Sequence, residues 1–401
     1  MHNGSLGDLS YSYDALDRLA EEANATRRQT YAYDAVGNRT EKTLSTVTGG
    51  SSSLASYQYG AGSNRLVQIN NQSVGTDESG NLTSDRDNHQ FSYDEQSRLR
   101  RVVVDGEIRA QYRYNGLGQR TQKTTLQGVT TFLYGLHGEL LGETLFDNQG
   151  NKLTSQFYFW LDRIPLGGTT INYDATGTAA SSSLFYLHSD HLNTPRIATN
   201  ASQGQVWEWK SDAFGVGEPS GSLTLNLRFP GQYFDFETGF QYNYFRNYDP
   251  KTGRYRESDP IGLKADLNTY SYASGNPLKY IDPLGLESIF EWSSIAEIEA
   301  KNSALPGMHN GPQDAYRHCV ASCMIASSNR GETVSRLAGW ANEMSNFGQN
   351  PSERAMDDFN NQVGICAAKG SSSPENCPKS CMTLLNNGML TTEASSEGAY
   401  Y

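Results

Sequence analysis

A nine-residue pattern recurs along the first third of this chain: YSYDALDRL from Tyr11, YAYDAVGNR from Tyr31, FSYDEQSRL from Phe91 and YRYNGLGQR from Tyr112. Such self-similarity constrains a fold more than any single residue, because every unit must take the same local structure and none can bury its face alone. The alternating aromatics read as a strand with one buried face. The Asp, Asn or Gly that follows reads as a tight turn, and the Arg-hydrophobic pair opens the next strand. Stacked units then predict a wrapped antiparallel sheet with few open edges over the first two thirds of the chain. The content of 24 Tyr and 39 Gly suits strands joined by tight turns.

A length of 401 residues exceeds one ordinary core. A net charge of −12 offers no overall electrostatic grip on phosphate backbones, so nucleic acid is disfavoured as a partner. No apolar run is long enough for a transmembrane segment, and MHNGSLGDLSYSYD carries neither the basic nor the apolar region of a signal peptide. Met1 runs almost directly into a repeat unit. The sequence therefore reads as starting within a longer array, with an N-terminal repeat region and a secretion machinery as absent partners.

These units resemble the YD repeats of Rhs-type polymorphic toxins. YLHSDHLNTPRIATN from Tyr186 and VWEWKSDAFG from Val206 look like the tail of that repeat region, and the stretch from Arg228 to Leu286 is similar to the Rhs core-associated segment. The resemblance covers roughly residues 11–286. It implies a hollow β-shell that encloses a toxin. The expected architecture is a multidomain, β-rich YD-repeat shell over 1–227, a self-cleavage segment over 228–286, and a small, mainly α-helical effector over 287–401. Within the shell, His188, Asp190 and His191 read as a polar strand-turn rather than a metal site, and Trp160, Trp207 and Trp209 as wall packing.

Asp-Pro-x-Gly-Leu occurs twice, at Asp259–Leu263 and Asp282–Leu286. Either copy alone is a plain turn signal. As a pair, two carboxylates held close cannot both ionise easily, so one holds a proton while the other activates water. The Rhs resemblance implies self-cleavage between Leu286 and Glu287, with Asp259 and Asp282 as the aspartic dyad. Arg254 or Arg256 is the candidate for orienting a carboxylate or the scissile carbonyl.

After Leu286 the repeat period gives way to helical spacing. Helices are expected over Ser288–Lys301, from Asn310-Gly311-Pro312 through QDAYRHCVASCMIASS, over Glu332–Asn346 and over Ser352–Lys369. Asp314, Arg317 and His318 share one helical face. With Glu343 and with Asp357, Asn360 and Asn361 they would form a cleft in which His318 is the acid-base group and Arg317 stabilises negative charge. The ordinary alternatives are a first-turn acid on a helix dipole, a surface ion pair and a satisfied histidine. DAYRH followed by MDDFNN resembles an uncharacterised effector family of polymorphic toxins.

All five cysteines fall after Leu286. Cys319/Cys323 and Cys377/Cys381 each put two sulfurs on one helical face, so two antiparallel helices could be stapled by two disulfides, which suits the periplasm or another oxidising compartment. A four-thiolate zinc site and buried thiols stay open; otherwise no metal or cofactor is expected. Seven basic against thirteen acidic side chains in this part argue against a nuclease. The functional expectation is a delivered effector with hydrolase-like activity on an envelope or small-molecule substrate, countered by a cognate immunity protein. A membrane-disrupting or partner-binding toxin and an inert structural protein are the rival readings.

Overall fold

A computed structural model describes residues 2–3, 7–47, 52–135, 138–161, 164–260, 262, 267–286, 303, 305, 312–327, 359–365, 367–368 and 377–390. The chain divides into two compact units: one comprises most of the chain to Glu287, the other Ser288–Tyr401 with the short segments 136–138 and 261–267.

In the first unit each repeat is a hairpin. Its Asp or Asn side chain builds the turn: Asp14 Oδ1 accepts the N–H groups of Leu16 and Arg18, Asp34 those of Val36 and Asn38, Asp94 those of Gln96 and Arg98, and Asn115 those of Leu117 and Gln119. The turn needs one left-handed residue, which is Gly37 (φ +82°) and Gly118 (φ +83°) in two units; Asp17 and Ser97 adopt it in the others. The tyrosine before each turn reaches across to the preceding unit. Tyr33 donates to Leu19 O, Tyr59 to Arg39 O, Tyr93 to Leu82 O and Tyr114 to Leu99 O. This ladder uses the tyrosine hydroxyls that would otherwise be buried without a partner.

Sequential hairpins give a seven-stranded antiparallel sheet from Ser10–Tyr13 to Gln72–Ser73 and a fourteen-stranded one from Gly75–Thr76 to Pro219–Gly221, both in chain order. The residue opening each second strand points into the core: Leu19, Leu66, Leu82, Leu99 and Leu140 are buried, and so are Arg39 and Arg120 in the same place. Arg120 is neutralised there by Asp235 and Lys123 shares that carboxylate. A third, four-stranded sheet (Tyr233–Asp235, Phe240–Asn243, Arg246–Asp249, Arg254–Tyr255) lies within residues 228–286. Its Tyr233, Tyr242, Tyr248 and Tyr255 form one core with Phe132, Tyr158, Trp207 and Trp209 of the large sheet.

His188 meets Thr199 Oγ1, His191 meets Leu278 O, and Asp190 builds a turn and pairs with Arg196, so the three serve separate local contacts.

In the second unit, helix Pro312–Ser327 and helix Cys377–Asn386 are joined by two disulfides, Cys319–Cys381 and Cys323–Cys377. Residues 319 and 323 meet 381 and 377 in reverse order, so the helices run antiparallel. The four cysteines are fully buried with Ala315, Tyr316 and Val320. Cys366 lies outside the described residues, as do the expected helices over 288–301 and 332–346.

Candidate self-cleavage site

Asp282 is placed by its own turn. Its Oδ1 accepts the Leu286 N–H at 3.0 Å, the same Asp-to-i+4 bond that closes the repeat hairpins. Gly285 (φ +68°) makes this turn possible and lies so close to the neighbouring strand that a Cβ there would sit 2.6 Å from Asn243 O. Around the turn, Asn243 Nδ2 donates to Asp282 O at 2.6 Å, Phe245 N–H donates to Leu284 O, and Arg246 Nε donates to Gly285 O. Three carbonyls, of Asp282, Leu284 and Gly285, and the Leu286 amide are thus held just before Glu287.

Asp259 comes from the first Asp-Pro copy, anchored by its N–H to Thr269 O at 2.8 Å. Arg246 joins the two carboxylates: its Nη2 lies 3.0 Å from Asp259 Oδ2 and 3.3 Å from Asp282 Oδ2, while Nη1 donates to Thr269 O. Tyr255 donates to Asp282 Oδ2 at 2.7 Å, and its ring lies 3.6 Å beneath the guanidinium. Burial, then the Asp282 charge, pushes the Tyr255 phenol well above its ordinary value, so it remains a donor. Asp259, Asp282, Arg246, Tyr255 and Asn243 are all at most 4% exposed. Burial of this kind strengthens every charge–charge term within the group.

Neither Arg254 nor Arg256 serves this pair. Arg254 donates to Asn64 O and stacks over Tyr270 and Tyr59, while Arg256 pairs with Asp249 and Asp85. The reason is strand alternation: Tyr255 faces Asp282, so its neighbours at 254 and 256 point the other way. Arg246 shares the parity of Tyr248, which pairs directly with Tyr255. That parity is readable in RNYD and GRYR, and it is the signal that would have selected Arg246.

The second unit carries a separate polar cluster. His318 Nδ1 lies 3.2 Å from Asn361 Oδ1, Ser322 Oγ donates to the same oxygen at 2.9 Å, and Arg317 Nη2 lies 3.0 Å from His318 Nε2. With Arg317 donating, Nε2 is the acceptor and the ring proton sits on Nδ1, directed at Asn361. Gly364 lets segment 359–365 approach the helix, since a Cβ there would meet Cys319 O. The structure thus joins Arg317 and His318 to Asn361 and adds Ser322, one turn after His318 and not singled out from sequence; Asn360 is fully buried beside them. The side chain of Asp314, and residues Glu343 and Asp357, lie outside the described residues.

Residues 2–278 match the family model of the teneurin YD-shell, and residues 286–392 match that of a domain of unknown function, DUF6973. The chain is similar to double-stranded DNA deaminase toxin A of Burkholderia cenocepacia, 32% identical over 314 residues, covering 70% of this chain and 21% of that protein. It is 30% identical over 285 residues to tRNA3(Ser)-specific nuclease WapA of Bacillus spizizenii, covering 68% and 12%. Toxin protein Tse5 of Pseudomonas aeruginosa is 29% identical over 337 residues, covering 69% and 25%. The chain therefore spans a quarter or less of each of these relatives. In fold it resembles the crystal structure of TcdB2-TccC3, with a TM-score of 0.59 at 19% identity, over 69% of this chain and 16% of that one.

These relatives correct the expectation that nucleic acid is disfavoured, since two of them act, by name, on double-stranded DNA and on tRNA. The charge argument fails physically because −12 is a sum over 401 residues. Holding one nucleotide requires only a local set of donors.

Proposed function

We propose that this chain, which belongs to the teneurin YD-shell family and is an Rhs-type polymorphic toxin, cuts itself after Leu286 and so releases its C-terminal unit. The observation that carries this reading is the single guanidinium of Arg246, which joins Asp259 to Asp282 and also holds Gly285 O. With one cation against two buried carboxyls, the group is electroneutral when one carboxyl keeps a proton. The ionised carboxylate takes a proton from water as its oxygen attacks the Leu286 carbonyl carbon. The protonated one gives its proton to the carbonyl oxygen; on collapse the proton taken from water passes to the amide nitrogen as the C–N bond breaks and a hydroxyl proton returns to the second carboxylate, giving a Leu286 carboxyl group and a Glu287 amine. Mass spectrometry of the purified chain tests this. Fragments 1–286 and 287–401 are expected from wild type, and an intact chain from Asp282→Asn, Asp259→Asn and Arg246→Met. A wild-type chain that stays at 401 residues, or an Asp282→Asn chain that still cuts, sinks the reading.

The released unit, delivered into a neighbouring cell and neutralised in the producer by an immunity protein, acts on nucleic acid at the Arg317–His318–Ser322–Asn361 cluster. Support comes from relatives of the shared shell that are a DNA deaminase and a tRNA nuclease by name, and from a cation beside an imidazole able to exchange protons. Incubation with tRNA and with double-stranded DNA, comparing wild type with His318→Ala, is the test. Cut or base-converted product with wild type alone is expected; intact nucleic acid, with toxicity only on export to the periplasm, would favour an envelope substrate instead. No helix among the described residues is long and apolar enough to cross a membrane.

A further inference from the structure

The two arginines that replace leucine at the first core position of a repeat have opposite surroundings. Arg120 is held by Asp235 through two hydrogen bonds, with both side chains about 1% exposed. Arg39 occupies the same place one sheet away and is 4% exposed; beside the Tyr33 hydroxyl, it has no carboxylate within ion-pair distance among the described residues, and its Nε and Nη1 find no hydrogen-bond partner among them. The rings of Phe214 and Tyr31 cover the guanidinium at 3.9 and 4.7 Å. Such stacking attracts the cation through the ring faces but supplies no in-plane acceptor for its N–H groups. A guanidinium does not shed its proton, so a buried one with unfilled N–H groups gains from a negative partner.

A small cavity lies beside it, lined by Arg39, Arg254, Gly253, Asn268, Ser271 and Phe214. Gly253 (φ +68°) has no Cβ, which leaves room for Arg39 Nη2 against its backbone. Arg254, 7% exposed, adds a second cation with only neutral oxygens as partners, Asn64 O and Asn38 Oδ1. Two acids of the same unit are engaged elsewhere: Asp212 accepts from Gln29 and Lys42, and Asp249 pairs with Arg256. Arg39 and Arg254 therefore both line a cavity whose described lining includes no carboxylate. The space is about 20 Å³, enough for one occupant the size of a water molecule.

We propose that this cavity is a binding site for a monoatomic halide, chloride in solution, held by Arg39 and Arg254. The ion supplies the charge that Asp235 supplies to Arg120, and it ties the second repeat to residues 252–254 and 268–271. The site is separate from the cleavage group, because Arg254 points away from the face that Tyr255 presents to Asp282.

Thermal unfolding of the full chain in sodium chloride, sodium gluconate and sodium phosphate at matched ionic strength tests the site. Chloride is expected to raise Tm saturably, by about 2–4 °C at tenfold excess over Kd, with gluconate and phosphate flat. In Arg39→Leu, which places there the residue found in five other hairpins, the chloride response should vanish. A response equal in the two chains, a flat wild type, or a response to phosphate rather than chloride overturns the proposal. Bromide-soaked wild-type crystals give a second reading that does not depend on the variant folding: an anomalous peak between Arg39 and Arg254 is expected, and its absence refutes the site.

Discussion

Reducing both disulfides should unfold the C-terminal unit while leaving the repeat unit folded. Cys319–Cys381 closes 62 residues, which removes about 4 kcal/mol of loop entropy from the unfolded chain. With that bond made, Cys323–Cys377 closes only the short ring formed by the four-residue steps along the two helices, and adds about 2–3 kcal/mol. The sum, near 6–7 kcal/mol, equals much or all of the stability of an ordinary small domain. Both bonds are inside the core, with all four cysteines at 0% exposure, so no surface contact replaces them. The assay is far-UV circular dichroism of the full chain with and without a phosphine reductant, with thiols counted in parallel. Among the described residues the α-helices belong to the second unit, so its melting is read from the helical signal. Loss of helical signal at room temperature, with the β signal kept, is the expected result. A helical melt unmoved after four thiols have been released would refute the reasoning.

Three further outcomes follow from the first unit. Arg120→Met leaves Asp235 buried with Lys123 alone and should cost about 3–5 kcal/mol in urea unfolding; Asp235→Asn combined with it should recover part of that loss. Burial pushes the Glu257 carboxyl up from 4.5 to about 7, against the opposing bonds from Asn247. Between those values the unfolded chain has lost the proton and the folded chain keeps it, so this group's contribution falls by about 3 kcal/mol as pH rises from 4.5 to 7. Urea midpoints of wild type against Glu257→Gln across that window should diverge accordingly, and parallel curves would refute the assignment. Gly285→Ala forces a side chain onto left-handed backbone beside Asn243 O; self-cleavage followed by gel should slow at least about tenfold, with the shell's Tm little changed.

The antiparallel shell was legible because its code is local: an Asp accepting the N–H groups two and four residues on, a left-handed residue, and a tyrosine one strand back. These recur wherever the pattern recurs. The cleavage group is less local. Asp259 and Asp282 stood out as duplicated motifs, but the cation between them is set by which face of a strand a residue occupies, and the planar fork that made Arg254 or Arg256 a candidate says nothing about that face. In the C-terminal part, the i, i+4 cysteines revealed shared helical faces, whereas zinc, thiol and disulfide readings differ only by which helix arrives opposite. Ser322 was missed because a lone serine one turn past a histidine carries no signal until Asn361 is placed against both.

The tyrosine ladder has a consequence for how such chains change over generations. Each rung links a tyrosine to the first residue after the preceding turn, across intervals that differ from 11 to 20 residues. The rung therefore tolerates any loop length between hairpins, while a one-residue deletion inside a strand reverses which face every later side chain presents. Whole turn-to-turn cassettes can be copied, lost or exchanged by recombination without breaking a bond. Selection then acts on such a shell in units of hairpins, and slippage within a strand is purged.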